Sequence, residues 1–175
     1  MSTTQNPNRV PPKRKSIPLL AGFVAAFVIW DVVPGAISLL SPRYGWTDSR
    51  PGPWNLLGLI PVIVGNIGLF GGIFVHAAQT AMKIDFELDK PYLLTDGLYR
   101  YSRNPMYVSE LILMSGWIIF YGSIPVLIGF LVWWAFFNFY IIPQEERVMQ
   151  SRFGEAYRKY KSKVPRWFGN IRKTM

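Results

Sequence analysis

Long apolar runs alternate with short polar stretches along this chain. Residues 17–40, from Ile17 to Leu40, are interrupted mainly by Asp31, Pro18 and Pro34, and residues 54–78 form a second run. Each exceeds the ~20 residues with which a helix crosses a bilayer. Residues 106–121 and 124–142 follow, joined by Gly122-Ser123 with Pro125 just beyond, which predicts a helical hairpin. Its first arm is short: at ~1.5 Å per residue it reaches only ~24 Å, so it begins below the interface or stops short of the far side. Within the second run Gly65, Gly68 and Gly72 mark a face that a neighbouring helix can approach closely, Gly68 and Gly72 having GxxxG spacing. Between the second and third runs, Lys83 to Asn104 turns polar, with Pro91 and Gly97 as breakers, and predicts an ordered loop or a short interfacial element. The expected fold is all-α, a polytopic integral membrane protein with about four transmembrane helices and a C-terminal interfacial helix.

Charge gives this layout an orientation. The 175 residues carry 19 Lys and Arg against 10 Asp and Glu. Nucleic-acid binding is excluded as the source of that excess, because such a protein does not hold its apolar residues in long runs between short basic loops. Seventeen of the 19 fall before residue 17, in 79–105 or after 142, and two fall in 41–53. By the positive-inside bias both termini and the 79–105 loop are expected in the cytoplasm. The basic start (Arg9, Lys13, Arg14, Lys15) before an apolar run resembles a signal peptide, but the run is long and lacks an A-x-A-like cleavage site, so an uncleaved anchor is expected. From Gln144 onward Arg and Lys alternate with Phe153, Tyr157, Tyr160 and Trp167, a pattern suited to a helix lying on anionic headgroups. No Cys and a single His exclude disulfides, thiolate zinc sites and multi-histidine metal sites, so no metal is expected. Without an organelle signal, a prokaryotic cytoplasmic membrane is the expected home, with the endoplasmic reticulum as the other fit. The pattern specifies no oligomeric state.

Polar groups inside apolar spans need a partner or a task. Asp31 lies well into the first span and reads as a salt bridge, a solvated position near the far interface, or a catalytic group. His76 closes the second span beside Gln79 and Thr80 and reads first as a hydrogen-bonded interfacial residue. Glu110 lies about one turn into the third span, and Glu145 and Glu146 sit where the fourth leaves the membrane. Tyr99, Arg100, Tyr101, Arg103, Asn104 and Tyr107 crowd one loop-to-helix junction at the same depth as the two glutamates. Pro105 suits a helix start, where free N–H groups favour an anion. Such a junction can hold a zwitterion, an Arg or backbone N–H meeting its carboxylate and a Glu its ammonium. Interfacial anchoring by Tyr and Arg explains the same residues.

The stretch Leu93-Leu94-Thr95-Asp96-Gly97-Leu98-Tyr99-Arg100-Tyr101-Ser102-Arg103-Asn104-Pro105-Met106-Tyr107 resembles the LVTxGxYRYxRHPxY signature of the isoprenylcysteine carboxyl methyltransferase and phospholipid methyltransferase superfamily. Glu145-Glu146, Phe153-Gly154-Glu155-Ala156-Tyr157-Arg158-Lys159-Tyr160 and Val164-Pro165-Arg166 are similar to its EE…FGxxYxxYxxxVPR tail. The resemblance covers roughly residues 91–167 and implies an enzyme that uses S-adenosylmethionine to methylate a lipophilic, membrane-embedded acceptor, either an isoprenylcysteine-like carboxylate or a phospholipid amine. It divides the chain into a basic N-terminus (1–16), two N-terminal spans (17–82) and a methyltransferase core (83–175). On it, Leu93, Leu94, Tyr99, Arg103, Asn104, Pro105, Met106, Tyr107, Glu145 and Glu146 fall on cofactor-binding positions.

Two departures matter. Asn104 replaces the usual histidine and can hydrogen-bond but not exchange a proton near neutrality. Ile141 stands near the position of the arginine that meets the prenyl-cysteine carboxylate in eukaryotic relatives, which argues against that acceptor. An amine acceptor has to lose a proton, and Glu110 is the best-placed catalytic base. Rival expectations are an NADPH-dependent enzyme like the sterol reductases, which share an Arg-His-Pro-x-Tyr junction, and a non-catalytic membrane scaffold.

Overall fold

The computed structural model describes residues 16–78, 83–85 and 93–168. Helix α1 (Leu19–Phe27) passes through a π turn (Val28–Val32) into α2 (Val33–Ser38). A short α3 (Pro53–Leu56) leads into α4 (Leu59–Ala78), and α5 (Pro105–Tyr121) follows the polar segment. Then α6 (Ile124–Phe136) passes through a second π turn (Phe137–Ile141) into α7 (Ile142–Lys163). Leu19–Ser38, Pro53–Val75 and Ile124–Lys163 contain stretches long and apolar enough to cross a membrane, and Pro105–Tyr121 is the shorter arm the sequence predicts. Four apolar helical passages make this an integral membrane protein. Ile60, Ile63, Ile67, Val132 and Phe136 are exposed along the helices, as side chains facing lipid are.

Helix boundaries follow local chemistry. Proline stands in the first turn of α3, α5 and α6, where its missing N–H goes unused. Gly122 ends α5 with φ +54°, its N–H bonded to the Ile118 carbonyl at 2.9 Å. The last carbonyls of α5 need partners too. Residues 41–53 supply them: Trp46 Nε1 donates to the Phe120 carbonyl at 2.8 Å and Asn55 Nδ2 to that of Ile119 at 3.1 Å. The pair β2 (Trp46–Thr47) and β3 (Arg50–Pro51) shapes this cap.

Close approach of α4 and α5 organises the bundle. A Cβ on Gly58 would lie 2.5 Å from the Gly116 carbonyl oxygen, one on Gly65 2.5 Å from the Leu113 nitrogen, and one on Gly68 against Ser109 Oγ. Gly72 leaves room for Met106 in the same way. Gly58, just before α4, and Gly65 and Gly72 within it recur every seven residues and line one seam against α5. Val62, Leu69, Ile73, Leu113 and Met114 fill the core beside it, with Ala26, Trp30 and Val126 added by the other helices.

Several features lie beyond the apolar pattern. Asp31 sits in the first π turn and accepts a hydrogen bond from Asn66 Nδ2 at 2.9 Å, so its partner is a neutral amide and not the cation a salt bridge requires. Strand β1 (Ser16–Pro18) pairs antiparallel with β4 (Lys83–Asp85), tying the start of the described chain to the segment after α4. The fourth apolar run continues as helix far past residue 142. It breaks at Gly154, with φ +50° and ψ −118°, and folds back so that Lys161 Nζ reaches Glu146 Oε2 at 2.7 Å. Fifteen residues of straight helix would hold these groups ~22 Å apart. The bend turns Tyr157, Tyr160 and Val164 into a buried cluster with Leu93, Met149 and Phe153, while Phe168 stays exposed. The side chain of His76, together with Gln79, Thr80 and the basic segment before residue 16, lies outside the described residues.

Gly65→Ala forces a methyl into the Leu113 backbone, whereas a Cβ on Gly71 meets nothing within 4 Å. Thermal melting in detergent is expected to show Gly65→Ala destabilised by about 1–3 kcal/mol and Gly71→Ala changed by less than about 1 kcal/mol.

Candidate functional site

Gly97 at φ +61° opens a 3-10 turn (Gly97–Arg100) that carries the polar segment to the foot of α5. Asn104 is the residue before Pro105 and, with φ −132° and ψ 59°, lies outside the α region that a following proline disfavours. From there two sets of side chains diverge.

The first set clasps the tail. Arg103 N–H donates to the Pro165 carbonyl at 3.0 Å, and Asn104 Nδ2 and Ser102 Oγ both donate to the Arg166 carbonyl, at 2.9 and 3.2 Å. Tyr160 hydroxyl donates to the Tyr99 carbonyl at 2.8 Å. Arg166 reaches the Asn138 carbonyl at the second π turn, at 3.3 Å. At the centre lies Glu146, 8% exposed, with Arg103 NH1 at 2.7 Å, Lys161 Nζ at 2.7 Å and Arg166 Nε at 3.2 Å. Burial pushes its carboxyl up, but hydrogen bonds from Lys161 and Arg166 and the charges of Arg103 and Arg166 outweigh that and hold it below the usual carboxylate range.

A second set faces the other way. Tyr107 hydroxyl donates to Glu145 Oε1 at 2.8 Å, and the Tyr107 ring meets Phe137 edge-on at 5.0 Å between centroids. Glu145 has no ion pair among the described residues. Burial raises its carboxyl above the usual range, and the Tyr107 hydrogen bond offsets only part of that rise. Burial and then the charge of Glu145 likewise raise the Tyr99 phenol. Glu110, one turn beyond Tyr107 on α5, is 7% exposed and its Oε2 is buried with no hydrogen-bond partner.

Adjacent glutamates therefore have opposite surroundings. Of the residues singled out in the sequence, Tyr99, Tyr107, Glu110 and Glu145 gather in one acidic, phenolic cluster. Arg103, Asn104 and Glu146 are engaged with the tail, Leu93 packs on the Tyr157–Tyr160 cluster, Met106 faces Gly72 of α4, and Pro105 is buried at the helix start. Leu94 is half-buried in the same segment. Ser102, Asn138, Lys161 and Arg166 escaped the sequence reading as site-forming residues. The signal was there only in part, as Arg166 closes the Val-Pro-Arg of the tail motif.

Glu146→Gln removes the charge that three cations share, and is expected to cost at least about 1 kcal/mol and to speed tryptic cleavage between Arg158 and Lys163. The same contribution depends on pH. Because the folded carboxyl titrates below its unfolded value of about 4.3, the stabilisation is fully present above that value and is lost as the pH falls through the lower, folded one. Cleavage measured across that window checks the sign.

The chain has similar sequences among characterised enzymes. Protein-S-isoprenylcysteine O-methyltransferase of Schizosaccharomyces pombe is 40% identical over 74 residues, 42% of this chain and 31% of that protein. The enzyme of the same name from Dictyostelium discoideum is 28% identical over 166 residues, 86% of this chain and 58% of that protein. Methanethiol S-methyltransferase 1 of Bradyrhizobium diazoefficiens is 29% identical over 143 residues, covering 78% and 44%. The chain thus spans 31 to 58% of the length of these three relatives. The phospholipid methyltransferase profile matches residues 54–156, more than half of the chain and inclusive of the α4–α5 seam, the clasp loop and both glutamates. The chain belongs to the phospholipid methyltransferase family.

Proposed function

We propose that this protein is a membrane methyltransferase that takes its methyl group from S-adenosylmethionine and passes it to a lipophilic acceptor held in the bilayer. The observation that carries the reading is the 2.8 Å hydrogen bond from Tyr107 to Glu145. It joins the two motif-bearing segments at the foot of α5 and leaves a half-buried carboxylate with no cation of its own among the described residues. A recess built of Tyr99, Tyr107, Glu110 and Glu145 suits a ligand bearing ammonium and sulfonium charges. Once bound, S-adenosylmethionine supplies an electrophilic methyl group. The chain's part is to align the partners and exclude water. Tyr107 and Glu145 hold the ammonium end, with Tyr99 beside them. Arg103, Asn104 and Glu146 act at one remove by holding the tail that closes it. By their names the relatives methylate an oxygen of a protein isoprenylcysteine and the sulfur of methanethiol, which fits a shared donor site with variable acceptor chemistry.

This reading places the recess, both termini and the 79–105 loop in the cytoplasm, where 17 of the 19 basic residues then lie. The chain has no cysteine, so introduced ones report cleanly. In intact cells an impermeant thiol reagent is expected to label Asp48→Cys at the opposite end and to reach Ser151→Cys only after permeabilisation.

Titration calorimetry in detergent tests the donor site. Glu145→Ala and Tyr107→Ala are each expected to weaken S-adenosylmethionine binding about tenfold or more while the protein stays folded, since each removes a charge-assisted contact worth ~1.5–3 kcal/mol. Unchanged affinity in both overturns the proposal. Affinity is also expected to fall on acidification at a pH above the ordinary carboxylate range, because Glu145 takes up its proton early. A thermal shift with S-adenosylmethionine and none with NADPH completes the test, as only a ligand of the folded state stabilises it.

A further inference from the structure

Asp31 sits in the first π turn, deep in the first apolar span, and three polar atoms around it go unmet. Asn66 Nδ2 donates to Asp31 Oδ1 at 2.9 Å, but Asp31 Oδ2, Asn66 Oδ1 and Trp117 Nε1 are buried with no hydrogen-bond partner. They come from three elements, the π turn, α4 and α5. No cation pairs with Asp31 among the described residues. Orphaned polar atoms at this depth are costly unless something completes them.

Their chemistry narrows what that is. Both unmet oxygens are acceptors, so the missing partner is a donor. Each is sealed off by its neighbours, which leaves no room beside it for a water molecule or a metal ion. The Trp117 indole N–H bears on the Asp31 carboxyl and can serve Oδ2, but it does nothing for Asn66 Oδ1. An ionised Asp31 therefore keeps one amide oxygen unmet and a full charge unpaired among apolar side chains. A proton on Oδ2 removes both defects, because a carboxylic acid donates where a carboxylate only accepts. Acid and primary amide then pair through two hydrogen bonds, Asn66 N–H to Oδ1 and Asp31 O–H to Asn66 Oδ1. Oδ2 still accepts from Trp117.

Few charges face this pair. Tyr121 of α5 lies within the field of Asp31, its hydroxyl fitted against Gly35 one turn past Asp31, and beyond it stands Arg43. Helix α6 carries no titratable residue, and α4 has only His76, nearly three turns from Asn66.

The geometry points to an intramembrane proton site: Asp31 holds a proton at neutral pH, and that proton closes an acid–amide latch between the first span and α4. Loss of the proton sets Asp31 Oδ2 and Asn66 Oδ1 against each other and opens the latch. The first span lies outside residues 54–156, the stretch the family profile matches, so the latch fastens a helix of this chain to the shared core. It is independent of the methyltransferase reading.

Infrared spectroscopy of the full chain in an ester-free detergent, with aspartate carboxyls labelled by heavy carbon, reads the proton directly. At neutral pH the unaltered protein is expected to show a protonated-carboxyl band that moves with the label, and Asp31→Asn is expected to lack it. Absence of the band from the unaltered protein, or its persistence in Asp31→Asn, overturns the inference. Melting distinguishes a neutral latch from a required charge. Asp31→Asn keeps both hydrogen bonds with an amide in place of the acid, and is expected to melt within about 2 °C of the unaltered protein. Asp31→Leu and Asn66→Leu each strand a buried polar group, and are expected to melt about 3 °C or more lower. Equal losses in Asp31→Asn and Asp31→Leu, or failure of Asp31→Asn to fold, show that the charge was needed and overturn the inference. Should the leucine variants not fold, the infrared comparison decides.

Discussion

Backbone contact between α4 and α5 is the constraint on which the rest depends. Lipid is as apolar as leucine, so burying apolar surface gives two membrane helices little reason to associate, and close packing has to supply it. Gly58, Gly65 and Gly72 let the α5 backbone reach that of α4, and a methyl group at Gly58 or Gly65 would collide with main-chain atoms that cannot turn aside. The seam sets both the depth and the rotation of α5. Tyr107 and Glu110 are therefore kept off the lipid face, while Met106 takes the place opposite Gly72. The extramembrane cap works to the same end, since Trp46 and Asn55 complete the hydrogen bonds at the far terminus of the same helix.

At the other terminus the structure separates two charges that the sequence sets side by side. Glu146 is surrounded by Arg103, Lys161 and Arg166 and stays ionised. Glu145, one residue earlier and rotated by about 100° around the helix, meets a phenol and no cation among the described residues. A helix gives neighbouring residues different faces, and Gly154 makes the difference count by folding the basic end of α7 back over one face only. On the proposed reading this division is what leaves a carboxylate free for a cationic ligand in a protein with a large excess of positive charge.

Two of the apolar runs locate their helices to within a residue or two, 17–40 against Leu19–Ser38 and 106–121 against Pro105–Tyr121, whereas the helix that opens with 124–142 runs on to Lys163. GxxxG spacing likewise finds the seam. A π turn leaves no mark in a run whose residues are apolar on every side, so neither Val28–Val32 nor Phe137–Ile141 is visible in the pattern. Strands of two and three residues are too short for alternation to register. The clasp joins Asn104 to Arg166 across 62 residues, and no local rule pairs them. Charge counting saw Glu145 and Glu146 as one acidic pair because their surroundings differ only once the tail has folded back. Asp31 reads as an ion-pair candidate from its charge alone, and only tertiary packing brings Asn66 to it.

Asn104 shows how a site can lose a titratable group without losing its architecture. The usual histidine of the motif is both a donor and a possible proton carrier, and sequence alone does not say which property the position needs. Here the Asn104 side chain donates to the Arg166 carbonyl at 2.9 Å, a task that any fixed N–H of the right reach performs. Its work is thus to hold the tail against the foot of α5, and asparagine does that without changing charge across the physiological range. Proton transfer, wherever the acceptor demands it, then has to come from a group that can ionise and that still lacks a partner. Among the described residues, Glu146 is ringed by cations and Glu145 accepts a hydrogen bond from Tyr107. Glu110, on α5, keeps a buried carboxylate oxygen with no hydrogen-bond partner among the described residues.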